Sequence, residues 1–185
     1  KKKDETKRIF EEKKVDDIYT LTATLTDKAG NTSTKSVVFS ANRFGSTYAF
    51  DSATKKLNGA YSKSVKDIVV TETNVNKLNN IKITLFKNSD TIKLKNGTDY
   101  RIDVEGGNGK WYKYVYTIFA KNFSDDGVYR LSFHSEDAAG NISENTLDTK
   151  NKEIRFGVDK TKPNEVLDNL ERGQTYPLEK LKVSM

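Results

Sequence analysis

The stretch Tyr129-Arg130-Leu131-Ser132-Phe133-His134-Ser135-Glu136-Asp137-Ala138-Ala139-Gly140-Asn141-Ile142-Ser143 decides the fold. Its first half has a period of two. Tyr129, Leu131 and Phe133 fall on one side of an extended chain and Arg130, Ser132 and His134 on the other, the pattern of a strand with one face in a core and one in water. Asp137-Ala138-Ala139-Gly140-Asn141 then predicts a tight reversal. The Asp137 carboxylate can accept nearby backbone amides to start a type I turn, Gly140 can take the left-handed position that closes a three-residue hairpin with a bulge, and Asn141 tolerates the strained exit. Just upstream, Asp125-Asp126-Gly127-Val128 turns the chain before Tyr129, which suits a tyrosine corner whose hydroxyl bonds back to upstream backbone.

The stretch recurs. Tyr19-Thr20-Leu21-Thr22-Ala23-Thr24-Leu25-Thr26-Asp27-Lys28-Ala29-Gly30-Asn31-Thr32-Ser33 aligns with it at an offset of 110 residues. Tyr19, Asp27, Gly30 and Asn31 take the places of Tyr129, Asp137, Gly140 and Asn141, while Asp17 stands where the later copy has Gly127. After a seven-residue expansion in the second copy, Val37, Phe39 and Ala41 match Ile154, Phe156 and Val158. The repeating unit is therefore about 110 residues.

Between the copies the period of two continues. Ile81, Ile83 and Leu85 alternate with Lys82 and Thr84, and Tyr100, Ile102 and Val104 with Arg101, Asp103 and Glu105. Gly106-Gly107-Asn108-Gly109 then separates that segment from residues 111–119, where Tyr112, Tyr114, Tyr116 and Ile118 share a face, and the three parts predict a hairpin with a flexible tip. Short strands, frequent turns and nineteen aromatics beside two prolines predict an all-β protein, an immunoglobulin-like β-sandwich in tandem repeat.

Composition removes other classes. Zero cysteines exclude a disulfide framework, a Cys-ligated zinc and a thiol nucleophile. The net charge of +6 comes from 32 basic and 26 acidic residues scattered along 185 positions, which favours a solvated surface over a nucleic-acid groove. With 35% hydrophobic residues no window approaches the roughly 18 apolar residues of a membrane-spanning helix, so no membrane insertion is expected. The basic start, Lys1 to Arg8, lacks the apolar region of a signal peptide, and the chain reads as an interior fragment.

Asp-Gly-Val-Tyr-x-Leu from Asp126, Asp-Ala-Ala-Gly-Asn-Ile-Ser from Asp137, and Ile-x-Phe-x-Val-Asp-Lys-Thr-Lys-Pro from Ile154 to Pro163 resemble the bacterial Ig-like domains strung along large secreted or wall-attached proteins of Gram-positive bacteria. Residues 39–46 are similar to an inter-domain junction of such arrays. The resemblance covers most of residues 15–163 and implies a sandwich fold, tandem arrangement and an extracellular location at the cell surface or in the medium. It names no ligand. The expected division is residues 1–45 as the last strands of a first unit, 46–159 as a complete unit and 160–185 as the start of a third unit or a linker. Residues 1–15 read as a short helix or loop.

Catalytic chemistry is not expected. The sole histidine, His134, falls on the outward face beside Ser132 and Glu136, where a solvated surface role is the ordinary one. No Gly-x-Ser-x-Gly elbow occurs, and the pairs Glu11-Glu12, Asp16-Asp17 and Asp125-Asp126 are sequence neighbours rather than facing carboxylates. Three binding chemistries stay open. Trp111, on the opposite parity from Tyr112, Tyr114 and Tyr116, is the candidate ligand contact for a glycan, whereas the tyrosine row reads as core. Asp137, Asn141 and Asp159 are hard oxygen ligands that could serve calcium, although their spacing matches no loop of the Asp-x-Asp-x-Asp-Gly kind, and no metal or other cofactor is expected. A basic surface could meet an anionic wall polymer. The expected role is a non-enzymatic Ig-like spacer, stalk or adhesion module, partnered by neighbouring Ig-like domains, with a host or glycan ligand as a further candidate partner. The alternative is a carbohydrate-binding accessory module of a secreted glycoside-degrading enzyme.

Overall fold

A computed structural model describes residues 16–145, 154–164, 173–175 and 177. The first elements are β1 (Asp17–Thr26) and β2 (Thr32–Ala41), an antiparallel two-stranded hairpin with Tyr19 opposite Phe39. After it come β3 (Thr47–Phe50), a one-and-a-half-turn helix α1 (Ser52–Leu57), β4 (Tyr61–Ser62), β5 (Ile68–Asn74), β6 (Leu78–Lys87), β7 (Asp90–Lys93), β8 (Tyr100–Glu105), β9 (Tyr112–Ile118), a 3-10 turn (Ala120–Phe123), β10 (Gly127–Asp137), β11 (Ile142–Glu144) and β12 (Ile154–Val158). One sheet runs β3-β5-β9-β8 and the other β4-β12-β10-β6-β7, with β11 also on β10. This is an immunoglobulin-like sandwich, its first strand split between the sheets by α1. The split has a local cause. The Asp51 carboxylate accepts the Thr54 N–H at 2.7 Å and starts the helix, and Lys55 and Lys56 sit in its last turn, where the helix dipole favours cations. The sequence pattern assigns none of α1, β3, β4, β5, β7 or the 3-10 turn.

The alternation seen around Tyr129 builds the core. Tyr129, Leu131 and Phe133 from β10, Ile154, Phe156 and Val158 from β12 and Leu85 from β6 face Ile68, Val70, Tyr116 and Ile118 of the other sheet, all at most 2% exposed. Rings tie the layers. Tyr116 lies 5.2 Å from Phe133, and Phe123, delivered by the 3-10 turn, sets its edge against both Tyr129 and Phe156. One fully buried carboxylate, Glu72, crosses the same core. It accepts the Tyr116 hydroxyl at 2.5 Å and the Ser135 hydroxyl of the opposite sheet, and Ser135 lies 3.3 Å from the Tyr48 hydroxyl. Burial first, and then the neighbouring Glu72 charge, push the Tyr48 and Tyr116 hydroxyls far above the ordinary tyrosine range.

The expansion noticed between the two aligned stretches has a structural form. Where β2 is one continuous partner of β1, the corresponding edge of β10 is shared by β11 and β12. Asn145 spans the interval: its side-chain oxygen accepts the Phe133 N–H at 2.7 Å and its amide donates to the Leu131 carbonyl at 3.1 Å. A side-chain amide thus does the hydrogen bonding of a peptide unit, and these backbone groups of β10 stay satisfied where no strand pairs with that edge among the described residues.

The hairpin departs from the expectation of a half-buried pair. Leu21 (51% exposed), Leu25 (76%) and Val37 (53%) stand on the Tyr19 side in water, because no second sheet covers that side among the described residues. The corresponding side of β10 and β12 is buried under β5 and β9.

Candidate functional site

The residues singled out for turn chemistry concentrate at the two ends of the strands. In the Asp137 turn, Oδ1 accepts the N–H groups of Ala139 (2.8 Å) and Asn141 (3.0 Å), Gly140 donates back to the Asp137 carbonyl at 3.0 Å, and Gly140 has φ 84°. The Asp27 turn is built the same way. Oδ1 accepts from Ala29 and Asn31 at 2.9 Å each, Oδ2 accepts the Asn31 amide at 2.8 Å, and Gly30 has φ 90°. At the opposite end, the Tyr129 hydroxyl donates to the Asp125 carbonyl at 2.9 Å, and Gly127 has φ 153°, where a Cβ would lie 3.1 Å from the Lys87 Cε. Tyr19 stacks on Phe39 at 5.8 Å, as Tyr129 does on Phe156 at 5.7 Å. The carbonyl that a Tyr19 corner would use, that of Val15, lies outside the described residues.

What the Asp137 turn receives could not be read from the sequence. Asp137 is 1% exposed, and its Oδ2 accepts three side-chain amides: Asn42 at 2.7 Å, Asn141 at 3.0 Å and Asn74 at 3.2 Å. Asn42 belongs to the segment leaving β2, Asn74 to the end of β5. One carboxylate therefore fastens the hairpin's exit to the sandwich. Burial, the largest single influence, pushes the Asp137 carboxyl up, but the bonds from Asn141, Asn74 and Ala139 outweigh it and hold it below the ordinary carboxylate value.

The fastening continues along residues 43–46. Ser46 donates its N–H to the Ser143 hydroxyl at 2.9 Å, and Asn42 accepts the Gly45 N–H at 3.1 Å. Gly45 has φ 73°, and a Cβ there would meet the Ser143 Oγ at 2.6 Å, so only glycine lets the chain lie this close. Asp16 closes the other side by accepting the N–H groups of Arg43 and Phe44 at 3.0 Å and the Arg43 guanidinium at 2.9 Å. Asp126 treats the chain leaving β12 alike, accepting the Lys160 N–H at 2.9 Å and the Thr161 hydroxyl at 2.6 Å.

Trp111 is 39% exposed, and its indole N–H donates to the Asp17 carboxylate at 2.8 Å. The expected candidate ligand contact is thus a second tie between hairpin and sandwich, and the Trp111 bond is the main reason the Asp17 carboxyl sits below its ordinary value. This also explains why an aspartate occupies the position held by Gly127 in the later stretch.

The remaining candidates separate. His134 pairs with Glu144 at 2.8 Å across β10 and β11, on the outward face. Asp137 and Asp159 stand at opposite ends of β10, about 33 Å apart at roughly 3.3 Å per residue, so the structure does not bring Asp137, Asn141 and Asp159 to one calcium site. Among the described residues no three His, Asp or Glu side chains gather as metal ligands, and no helix is long and apolar enough to cross a membrane. Tyr114 (3% exposed) and Tyr116 (0%) are core, and the tip between β8 and β9 is a two-residue turn with Asn108 and Gly109 at φ 51° and 81°.

No curated protein matches the chain. Residues 4–43 match a family model described as bacterial Ig-like domain (group 3), so the segment that contains the hairpin and enters the Asp137 junction is similar to a bacterial Ig-like domain.

Proposed function

We propose that this chain is a non-catalytic, load-bearing piece of a tandem Ig-like array on a bacterial surface protein, in which the Asp137 junction fixes the angle between successive units. In this reading the hairpin is the closing edge of one unit, residues 46–159 form the next, and residues after 159 lead into a third. The observation that carries it is the junction itself. Asn42 is held by Asp137, Gly45 by Asn42, Ser46 by Ser143 and Asp17 by Trp111, at five or fewer residues from the end of β2 or the start of β1. A spacer that only needed reach would be served by a flexible polar linker; a short, hydrogen-bonded one transmits orientation and force. The similarity of residues 4–43 to a bacterial Ig-like domain supports the Ig-like part of this reading; the array is then extracellular, at the cell surface or secreted, with neighbouring Ig-like units as first partners.

The test is backbone 15N relaxation on the whole chain. Amides of Asn42, Arg43, Phe44, Gly45 and Ser46 are expected to be as rigid on the ps–ns timescale as those of β10. Order parameters below about 0.6 across these residues, the range of flexible linkers, would overturn the reading.

A further inference from the structure

The outward face of the six-stranded sheet carries features that the junction does not use. Arg130 and Arg155 are directly opposite in the β10–β12 register, both on the parity away from Leu131 and Ile154. Like charges so placed repel. Arg130 turns aside and lies over the Phe86 ring at 3.9 Å, whereas Arg155, exposed, has no ion pair among the described residues. One strand further, β4 pairs Tyr61 with Gly157. Tyr61 is 73% exposed, yet its ring is seated: a Cβ on Gly157 would fall 2.2 Å from the ring's Cδ1. The missing side chain at Gly157 makes the seat, and the other side of the ring is in water.

Tyr61 lines two open clefts. One, of about 440 Å³, is lined by Asn58, Arg155 and Gly157; the other, of about 310 Å³, by Lys56, Val65 and Lys66. The carboxylate of the second cleft, Asp67, already accepts the Ala120 N–H at 2.8 Å. We propose that Tyr61, Arg155, Lys56 and Lys66 form a binding site for an acidic oligosaccharide. A pyranose ring stacks its apolar C–H face on Tyr61, and carboxylate or sulfate groups of the flanking sugars meet Arg155 in one cleft and the lysines in the other. The guanidinium fork suits a planar oxyanion, and two open clefts about one aromatic ridge suit a chain passing over it. A nucleic-acid strand would ask for successive stacking rings, and this ridge offers one.

The site is remote from Asn42 and Asp137, so its failure would leave the spacer reading untouched. The test is a 15N-resolved NMR titration of the whole chain with a tetragalacturonate, a heparin-derived tetrasaccharide, neutral maltotetraose, tripolyphosphate and a short oligothymidylate. At least one acidic tetrasaccharide is expected to shift the Tyr61, Arg155 and Gly157 amides, with maltotetraose and tripolyphosphate each about tenfold weaker or more. Arg155→Gln and Tyr61→Ala should each weaken binding about tenfold, and Trp111→Ala should leave it unchanged. Arg155 is exposed, so Arg155→Gln keeps the test open if Tyr61→Ala disturbs β4. The proposal fails if neither acidic sugar binds by about 10 mM, if tripolyphosphate or the oligothymidylate binds as tightly as the better sugar, or if Arg155→Gln has no effect.

Discussion

Replacing Asp137 by alanine tests the junction most directly. The substitution removes the acceptor of three side-chain amides and two backbone N–H groups. Asn74 is fully buried and keeps its bond to the Ser46 hydroxyl at 2.8 Å, but its other amide hydrogen is stranded, at about 1–3 kcal/mol. The Ala139 and Asn141 N–H groups and the half-buried Asn42 and Asn141 amides can recruit water, so each loses nearer the net worth of a hydrogen bond, about 0.5–1 kcal/mol. The sum is about 3–7 kcal/mol, a large part of a domain's total stability. Urea unfolding followed by two probes is the assay. Trp111, the only tryptophan, reports its contact with Asp17, and near-ultraviolet circular dichroism of the buried tyrosines reports the sandwich. Both midpoints should fall, the Trp111 transition earlier. A loss below about 1 kcal/mol, or unchanged Trp111 emission in native buffer, would refute the assigned role of Asp137.

Acid should act through the same group. Because the Asp137 carboxyl is lowered on folding, its stabilisation is complete above the ordinary carboxylate value of about 4 and is lost as pH falls through the folded value; Asp137→Ala should therefore flatten the stability profile of the folded chain below about pH 4, and an unchanged profile there would count against it. Gly45→Ala, with both a left-handed φ and a Cβ contact of 2.6 Å, should cost more than Gly140→Ala, whose Cβ would meet nothing within 4 Å and which suffers only the backbone penalty of about 1–2 kcal/mol; equal urea midpoints would contradict this. Tyr114→Ala should cost about 3–5 kcal/mol and Trp111→Ala little in the sandwich transition, so equal losses would reject the burial assignment. In a spectrophotometric titration Tyr48 and Tyr116 should remain protonated well above the ordinary tyrosine value of about 10; ionisation of both near that value would show the Glu72 cluster to be wrong.

Local pattern carried the strands and turns. Tyr129, Leu131 and Phe133 announce a buried face because a strand's side chains alternate, and Asp137 to Asn141 announce a reversal because an Asx turn and a left-handed glycine need only neighbours in the chain. The 110-residue offset was legible for the same reason: Tyr19 opposite Phe39 and Tyr129 opposite Phe156 are both register consequences of hairpins. Periodicity said nothing of partners across the core. Glu72 stands between Thr71 and Thr73, where nothing local marks it as buried, and only its 0% exposure between Tyr116 and Ser135, 44 and 63 residues away, makes it a core group. Trp111 was exposed by parity, as found, but its bond to Asp17 joins residues 94 apart, and the Asn42 bond to Asp137 joins residues 95 apart. The chain's own sequence thus determined which segments extend and where they reverse, since those energies are settled within a few residues. Which polar groups end up together, and so how the hairpin is fastened to the sandwich, was decided by the packing of two sheets, since a hydrogen-bond partner that distant is specified only when the whole fold has brought it near.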